Sequence, residues 1–385
     1  RTDIDPKLVD EIYFGIVSPP AEGSNIAREA LFDSGLPSEI PCTTVNRYCA
    51  SALEAAAAIT AKIQAGQIDI GIAGGVEAIS AVRALFSQDA TDFFQDLAKA
   101  KTLAQRMSLL SQFKPAMLTP LAPGIKEPST GLSMGQCADL MAREFGVTRE
   151  EQDQYAVQSH HKAHAAWERG FYKSHVVPVG TPDGKVIVRD TDIRPDTSTE
   201  KLKELRPIFY KDGTITAGNA SPLTDGASAA LFMRQSKALE LRLQPLGAVR
   251  GYAAAAIDIK KEALLIGPAF AIPKALKNAG VEWKNLDLIE MHEAFAAQAL
   301  STIKAIESPK FCKEKLGLDR TIGEVNPNLL NVNGGSIPIG HPFGATGVRL
   351  ILQTLHELRA RKKNLGLISV CAAGGLGCVM IVEAL

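Results

Sequence analysis

The chain has 385 residues, which at about 150 residues per domain predicts about two to three domains. Hydrophobic residues make up 46% and charged residues 22%, a balance that is typical of globular proteins and excludes wholesale disorder. The 42 basic and 42 acidic residues cancel, which argues against nucleic-acid binding through bulk charge. No apolar run approaches the roughly 18 residues of a membrane span, and no signal peptide is evident.

Elements of strand and helix type alternate in the first part of the chain. Residues 9–16 and 41–45 predict strands, and the alanine-rich residues 50–65 predict a helix. Residues 69–73 predict a buried strand that ends at Gly74-Gly75. This alternation favours α/β layers, in which helices cover a mostly apolar sheet.

The C-terminal third repeats this order. Residues 286–291 predict a strand that leads into a helix at 294–306, and residues 365–370 predict a strand that ends at 371–375. The second glycine pair, Gly374-Gly375, follows its strand as Gly74-Gly75 follows the earlier one. The sequence therefore predicts two related halves.

Between the halves lies a segment of a different kind, with amphipathic helical patches and many charges. Thr148 and Glu151 have the spacing of a capping box at the start of a helix. We predict an inserted, mainly helical domain at 81–223. Residues 1–80 with 224–243 then form the N-terminal half, and residues 244–385 form the C-terminal half.

An apolar stripe in this insertion is flanked by lysine and arginine. Its members are Phe93, Phe94, Leu97, Leu103, Met107 and Leu110, with Lys99, Lys101, Arg106 and Lys114 beside them. The pattern favours a surface helix that packs these residues into a core. The alternative is a docking face for a partner protein or a membrane surface.

Six cysteines are spread thinly along the chain, at Cys42, Cys49, Cys137, Cys312, Cys371 and Cys378. No two have the CxxC spacing, which excludes zinc ribbons and thioredoxin-type motifs. A chain of this size needs no disulfides to hold its cores, so we expect free thiols in a reducing, intracellular compartment. Some of these thiols are candidates for catalysis.

Cys49 follows a predicted strand and opens a predicted helix. A thiol at a helix N-terminus meets the positive end of the helix dipole, which lowers its pKa and favours the thiolate. The small neighbours Ala50, Ser51 and Ala52 leave the sulfur accessible. The alternative is a buried structural cysteine, which is the usual state of a free cysteine.

Three further residues lie at turns that follow predicted strands or glycines. His341 lies in the glycine-dense segment 334–347, and histidine is the natural base for a cysteine nucleophile. Cys371 lies at the end of a strand, where α/β folds bind ligands. His292 lies at a strand-to-helix turn and is a candidate hydrogen-bond donor to an oxyanion. The alternatives are a structural histidine at 341, a redox pair or chance at Cys371, and an N-cap histidine without chemistry at 292. The shared location of all four residues favours one site.

Several segments resemble the motifs of the thiolase family. The segment at 46–55 resembles the nucleophile motif, 292–295 is similar to the Asn-Glu-Ala-Phe motif with histidine in first place, and 333–349 resembles the histidine motif. Residues 371–377 resemble the second cysteine motif, and 216–227 the loop on the coenzyme A side. The His-Glu-Ala-Phe variant and the insertion most resemble the thiolase (β) subunits of fatty-acid oxidation complexes.

The resemblance implies a thiolase fold, with two layered α-β-α-β-α halves and a loop domain. It implies thiolytic cleavage of 3-ketoacyl-CoA in β-oxidation, with Cys49 as nucleophile, His341 as base, Cys371 as second acid and base, and His292 as a donor to the enolate oxygen. The backbone N–H groups of Cys49 and Ala373 would hold the other oxyanion. The residues that would line the tunnel for pantetheine and acyl chain are Ser221, Met134, Phe209 and Phe295. Coenzyme A would be a substrate, with no other cofactor and no metal.

Two departures from the family pattern stand out. Thiolases have a core strand and helix before the segment at which this chain opens, so about one βα unit is expected to be missing. The family usually has glycine two residues after the second cysteine, where this chain has Ala373. The backbone N–H is retained, and the added methyl group is expected to narrow the acyl site.

Three alternative functions remain open. Ketoacyl synthases share the fold, but they use one cysteine and lack the residue equivalent to Cys371. A biosynthetic acetoacetyl-CoA thiolase would differ in chain-length preference. A subunit that only organises a complex would not need Cys49, His341 and Cys371.

The resemblance also gives expectations about partners and location. It implies a homodimer or tetramer, an α-type hydratase/dehydrogenase partner that contacts the stripe from Phe93 to Leu110, and as an alternative a peripheral membrane contact. No nucleic-acid partner is expected. The location would be cytoplasmic in a bacterium, and in a eukaryote it would be the mitochondrial matrix or the inner membrane surface.

Overall fold

The computed structural model describes residues 2–83, 85–119, 126–181 and 183–385. The N-terminal half contains β1 (Glu11–Gly15), α1 (Ile26–Ser34), β2 (Cys42–Val45), α2 (Ser51–Gln64) and β3 (Ile70–Glu77). The next segment contains α3 (Gln88–Lys99), α4 (Leu103–Leu110), α5 (Met134–Glu144), α6 (Arg149–Glu168), β4 (Val179–Gly180), β5 (Val186–Ile187) and α7 (Thr199–Lys203). The remainder contains β6 (Gly226–Met233), α8 (Gln235–Glu240), β7 (Gly247–Ala256), α9 (Gly267–Ala279), β8 (Leu288–Met291), α10 (Ala296–Glu307), α11 (Pro309–Leu316), α12 (Ser336–Ile339), α13 (Thr346–Arg361), β9 (Leu365–Ala372) and β10 (Leu376–Ala384).

Two sheets of the same design form the halves. The first has the strand order β2-β1-β3-β6, and the second has the order β7-β10-β9-β8. In the first sheet β1 and β3 are parallel and β6 is antiparallel to β3. In the second sheet β8 and β9 are parallel and β10 is antiparallel to β9, so β8, β9 and β10 correspond to β1, β3 and β6. In the second sheet β7 pairs with the far edge of β10, whereas no strand of the described residues pairs with the far edge of β6.

Helices separate and cover the two sheets. Helices α2 and α13 pack against each other between them, α1 covers the outer face of the first sheet, and α9 that of the second. The central core joins α2, α13 and the inner faces of β9 and β10. The layered α-β-α-β-α arrangement of a thiolase fold is therefore confirmed.

Burial on both faces explains the composition of the inner elements. All but the first residue of β9 are buried, and the strand is almost continuously apolar, as expected for a strand covered on both sides. The alanines of α2 let the two central helices approach closely. At the closest point a side chain on Gly347 would collide with Leu53 of α2.

The two glycine pairs do not have equivalent conformations, so the prediction that β3 ends at Gly74-Gly75 is wrong. The strand continues through both glycines to Glu77. Glycine is needed at position 75 because a side chain there would collide with the Gly344 carbonyl, which packs against the strand. By contrast, Gly374 and Gly375 have φ values of 73° and 70° and form the turn between β9 and β10. The halves are related by their sheets and not by these pairs.

The capping box predicted in the insertion is confirmed. The Thr148 side chain accepts from the Glu151 N–H, and the Glu151 carboxylate accepts from the Thr148 N–H. No helix in the described part of the chain is long and apolar enough to cross a membrane. The predicted domain boundaries stay a prediction.

The apolar stripe of the insertion differs from its prediction in two respects. It lies on two helices, α3 and α4, rather than on one, and most of it faces solvent in this chain. Phe93 is 8% exposed, but Leu103 is 76% exposed and Met107 60%. Core packing is therefore wrong for most of the stripe, since α4 contributes no buried residue.

Candidate active site

The turn that carries Cys49 is held by its own side chains. Ser51 at the start of α2 accepts the Arg47 N–H at 2.8 Å, and its hydroxyl donates to the Tyr48 carbonyl at 2.6 Å. Tyr48 has a φ of 48°, in the left-handed region that non-glycine residues rarely adopt. These bonds fix Cys49 at the mouth of the turn between β2 and α2.

Cys49 lines a cavity of about 320 Å³ whose wall is mainly apolar. The backbone N–H groups of Cys49 itself and of Ala373 are near enough to its sulfur to lower the pKa of the thiol. These are the two N–H groups that the sequence proposed as an oxyanion hole, and Ala373 also lines the cavity. Two convergent amide donors next to a nucleophile are suited to hold an oxyanion on the carbon that the nucleophile attacks.

The expectation of a thiolate at Cys49 is wrong for the resting protein. Burial raises the pKa of Cys49 to about 12, with a smaller contribution from the nearby Glu77 carboxylate. The two N–H donors lower this pKa but do not compensate for the loss of solvent. Cys49 is therefore a neutral thiol at neutral pH and needs a base to become a nucleophile.

Cys371 lies beside Cys49, at the end of β9. It is buried, and burial together with the neighbouring Cys49 sulfur holds the pKa of its thiol well above the ordinary value. The turn after it brings Ala373 to Cys49 and Gly374 to the Glu127 carboxylate, which accepts the Gly374 N–H at 2.8 Å. The two thiols are thus near enough to influence each other, although they lie far apart in the sequence.

The two candidate histidines form a buried pair, with ring centroids 4.0 Å apart and planes inclined by 45°. His341 Nδ1 lies 2.7 Å from the Thr346 hydroxyl, which itself donates to the Pro342 carbonyl. Since that hydroxyl proton is already used, we assign the imidazole proton to Nδ1. His341 Nε2 then carries a free lone pair, and within the described residues it has no hydrogen-bond partner.

His292 has the opposite tautomer. Its Nδ1 lies 2.8 Å from the Ser336 hydroxyl, which also accepts from Arg349 Nη2 at 2.9 Å. The Ser336 hydroxyl has no other acceptor for its proton in the described part of the chain, so we infer that it donates to His292 Nδ1. That nitrogen is then the unprotonated one. His292 Nε2 therefore carries a proton that has no partner among the described residues.

Burial keeps both histidines neutral. It lowers the pKa of His292 to about 3, with a contribution from Arg349. It also lowers the pKa of His341 well below its usual value, with contributions from His292 and Arg349. The pair thus presents one base and one hydrogen-bond donor to the same space.

Two buried carboxylates hold the loops around this pair. Glu293 accepts from Tyr155, Ser159, Asn331 and the Ile337 N–H, at distances from 2.7 to 3.1 Å. It therefore ties the turn of His292 to helices α6 and α12. Glu77 accepts the N–H groups of Val17, Ser18 and Gly344 at 2.8–3.0 Å and ties the histidine loop to the end of β1.

Phe343 connects the histidine pair to the cavity of the cysteines. It lines the cavity together with Cys49 and Ala373, and its ring centroid lies 4.9 Å from that of His341. Glu77, which bonds the adjacent Gly344, is near enough to Cys49 to influence its pKa. Phe343 therefore places the histidine pair directly behind the wall of the cavity that Cys49 lines.

The four predicted tunnel residues, all of them described, do not lie together. Met134 lines the cavity, whereas Ser221, Phe209 and Phe295 do not. The rings of Phe209 and Phe295 contact each other edge to face at 6.2 Å and pack on the main core. The Ser221 hydroxyl donates to the Ala294 carbonyl. Their role in a tunnel for pantetheine and acyl chain stays a prediction.

Several residues of the site were missed by the sequence reasoning. Ser336, Thr346 and Arg349 lie inside the quoted histidine motif, so their proximity to His341 was the available signal. Glu127 lies in the insertion, outside the segments that resemble family motifs, so the sequence offered no signal for it. No group of three or more His, Cys, Asp or Glu side chains that could hold a metal occurs in the described ranges.

Comparisons with known proteins show the family. The family model "Thiolase, N-terminal domain" matches residues 1–236, and "Thiolase, C-terminal domain" matches residues 243–384. A 3-ketoacyl-CoA thiolase of Serratia proteamaculans (strain 568) is 46% identical over 385 residues, which cover 100% of this chain and 88% of that protein.

Solved structures with the same fold cover nearly all of the chain. Human mitochondrial 3-ketoacyl-CoA thiolase, also solved in complex with CoA, has a TM-score of 0.81 and 29% identity over 99% of this chain and 88% of its own. The Bacillus anthracis acetyl-CoA acetyltransferase has a TM-score of 0.81 and 32% identity over 99% of this chain and 89% of its own.

Proposed function

Because this chain belongs to the thiolase family, we propose that it cleaves 3-ketoacyl-CoA with coenzyme A to give acetyl-CoA and a shortened acyl-CoA. The observation that carries the proposal is the proximity of these groups: Cys49 lines an apolar cavity, and Cys371 is near enough to Cys49 for each thiol to affect the other. The buried His292–His341 pair contacts the same cavity wall through Phe343. Thiolysis needs a nucleophile, a base, a second acid and donors for two different oxygens, and this arrangement offers each of them.

The first half of the proposed reaction starts from neutral groups. His341 Nε2 takes the proton of Cys49, and the thiolate attacks the keto carbon. Its oxygen becomes an anion, which the N–H groups of Cys49 and Ala373 hold. The carbonyl re-forms as the carbon–carbon bond breaks, which leaves the acyl group on Cys49 and acetyl-CoA as an enolate.

The histidine pair stabilises that enolate. Its thioester oxygen accepts from His292 Nε2–H and from His341, which at this stage carries the proton of Cys49. Removal of one such donor typically costs about 10²–10³ in rate. Cys371 then gives its proton to the enolate carbon, and acetyl-CoA leaves.

The second half returns every group to its starting state. The Cys371 thiolate takes the proton of the incoming coenzyme A thiol, and the new thiolate attacks the acyl carbon on Cys49. The same two N–H groups hold the tetrahedral oxygen. Cys49 leaves and regains its proton from His341. In this proposal coenzyme A is a substrate, and no other cofactor is used.

Chain length separates degradation from biosynthesis. We expect kcat/KM for thiolysis to rise at least about tenfold between substrates of four and about eight carbons, since each buried methylene is worth about 0.8 kcal/mol. Steady-state thiolysis with acyl chains of about four to sixteen carbons measures this. A maximum at four carbons would instead support the biosynthetic acetoacetyl-CoA thiolase.

The structure adds an argument against a ketoacyl synthase, because Cys371 lies beside Cys49.

We infer that an α-type hydratase/dehydrogenase subunit binds the exposed face of α3 and α4. We call this face the hairpin patch and define it by Phe94, Leu103, Met107 and Leu110, all exposed in this chain. The basic residues Lys99, Lys101 and Arg106 flank it and suit an acidic rim on the partner. Homo-oligomers, as dimers or tetramers, are the accompanying expectation.

Substitution in the hairpin patch tests this contact. We expect Leu103→Asp with Met107→Asp to abolish co-purification of the α-type subunit from cells that make both, because two charges would be buried in an apolar contact. Leu239→Asp, at a site 71% exposed on α8, is the matched control and should retain the partner. Unchanged retention by the double variant would refute the contact. Loss of binding to anionic vesicles instead would favour the membrane alternative.

The proposed location is inside the cell. All six cysteines are free, as expected in a reducing compartment.

A further inference from the structure

The Glu127 carboxylate links the insertion to the turn that follows Cys371. It is buried, with 5% of the residue exposed, and its Oε2 accepts the Gly374 N–H at 2.8 Å. The other oxygen accepts from the Ser129 hydroxyl at 3.3 Å. A carboxylate that accepts a backbone N–H forms a charge-assisted bond, which is about twice as strong as a neutral one. The link joins residues that are 247 positions apart.

The turn that receives this bond has little rigidity of its own. Gly374 and Gly375 both have positive φ values, which suit glycine and leave the backbone many alternatives. The pairing of Ala372 with Leu376 fixes the two ends of the turn. Within the turn, the bond from Gly374 to Glu127 restrains the backbone. Between these two restraints lies Ala373, whose N–H faces the Cys49 sulfur.

Glu127 is itself held firmly. Its N–H donates to the Leu132 carbonyl and its carbonyl accepts the Gly131 N–H, both at 2.8 Å. This closed turn leads directly to Ser133, which caps α5 with a capping box. The anchor for the catalytic turn is therefore an ordered part of the insertion.

We propose that Glu127 is a positioning residue, which aims the Ala373 N–H at the reacting carbonyl by holding Gly374. The inference rests on the proposed thiolase function. Glu127 lines the same cavity as Cys49 and Ala373, and so does Met134, which follows the segment of Glu127. The wall formed by the insertion thus also orients the oxyanion hole. A substrate that packs against this wall therefore contacts the segment that positions the Ala373 N–H.

Two variants of Glu127 separate the bond from the charge. Glu127→Ala removes the acceptor, and Glu127→Gln keeps an acceptor oxygen but removes the charge. We expect Glu127→Ala to lower kcat by about 10²-fold, the loss typical of one oxyanion donor, with KM changed less than about threefold. Glu127→Gln should lower kcat by about three- to tenfold. Glu150→Ala, an exposed glutamate of the same insertion, is the control and should retain activity.

Alkylation of Cys49 gives a readout that a merely structural role would not move. The Ala373 N–H lowers the pKa of Cys49, so its displacement should raise that pKa. We expect iodoacetamide to alkylate Cys49 at least about threefold more slowly in Glu127→Ala between about pH 8 and pH 10, as followed by mass spectrometry of the Cys49 peptide. Loss of a negative charge alone would have the opposite effect, because it would lower the pKa.

The outcomes are distinct. Unchanged kcat in Glu127→Ala, or a reduced kcat with unchanged or faster alkylation, overturns the proposal. If thermal melting shows that Glu127→Ala is unfolded, Glu127→Gln decides by the same two measurements, and an unaltered kcat and alkylation rate then overturn it. If the unsubstituted protein does not catalyse thiolysis, the proposed function fails, while the alkylation rates still report whether Glu127 positions the Ala373 N–H.

Discussion

Replacement of Cys49 by alanine should abolish thiolysis of 3-ketoacyl-CoA, with a loss on the order of 10⁴-fold or more. The reason is that Cys49 is the one described thiol on the wall of this cavity. Cys371 does not replace it, because the Ala373 N–H lowers the pKa of Cys49 and not that of Cys371. Steady-state thiolysis and mass spectrometry of the acylated protein measure the effect together.

The control for this variant is Cys42→Ala, which removes a half-buried thiol of β2 that plays no part in the proposed reaction. It should retain activity and acylation at Cys49. Full thiolysis by Cys49→Ala would end the assignment. Failure of the unsubstituted protein to become acylated at Cys49 would favour the subunit that only organises a complex.

The proposed nucleophile, base and second acid could be predicted from the sequence because each lies in a short segment of unusual composition. Small residues follow Cys49, glycines surround His341, and Gly374-Gly375 follow Cys371. Close approach of backbone to substrate restricts residue choice locally, so the signal is local. The layered fold was likewise visible in the alternation of elements, since each strand and helix shows its own periodicity.

The charge state of Cys49 could not be predicted in this way. The helix that follows it is a local feature and suggests a thiolate. The burial of the Cys49 sulfur depends on groups that are distant in sequence, such as Ala373. This burial raises the pKa of Cys49 to about 12. The tautomers are also tertiary properties, since His292 depends on a hydroxyl 44 positions away. In each case desolvation or a partner distant in sequence has a larger effect on the ionisable group than its neighbours in sequence have.

The hairpin patch shows a different limit of sequence reasoning. Apolar spacing on α3 and α4 indicates one face of each helix but not what covers that face. Core packing was the natural prediction, yet only Phe93 of the stripe is buried. Similarly, Glu127 has no local signal, because its partner Gly374 becomes its neighbour only through folding.

Replacement of Cys371 by alanine should separate acyl transfer from carbon–carbon bond cleavage. We expect kcat for thiolysis to fall by about 10³-fold, within the range of about 10²–10⁴ that a general acid or base contributes. Acetylation of Cys49 by acetyl-CoA should persist, because a coenzyme A thiolate is a stable leaving group near neutral pH, with a pKa near that of free cysteine at about 8.5. An enolate carbon has no such stability and needs the proton of Cys371.

Hydrogen exchange at the methyl group of acetyl-CoA measures this step directly. In D₂O the unsubstituted protein should introduce deuterium there, as Cys371 removes and returns a proton while Cys49 carries an acetyl group. Cys371→Ala should lose this exchange and keep acetylation of Cys49, whereas Cys49→Ala should lose both. Persistent exchange in Cys371→Ala would assign the carbon acid chemistry to another group. His341 would then be the candidate, since its Nε2 has no partner in the described residues and burial holds its pKa low.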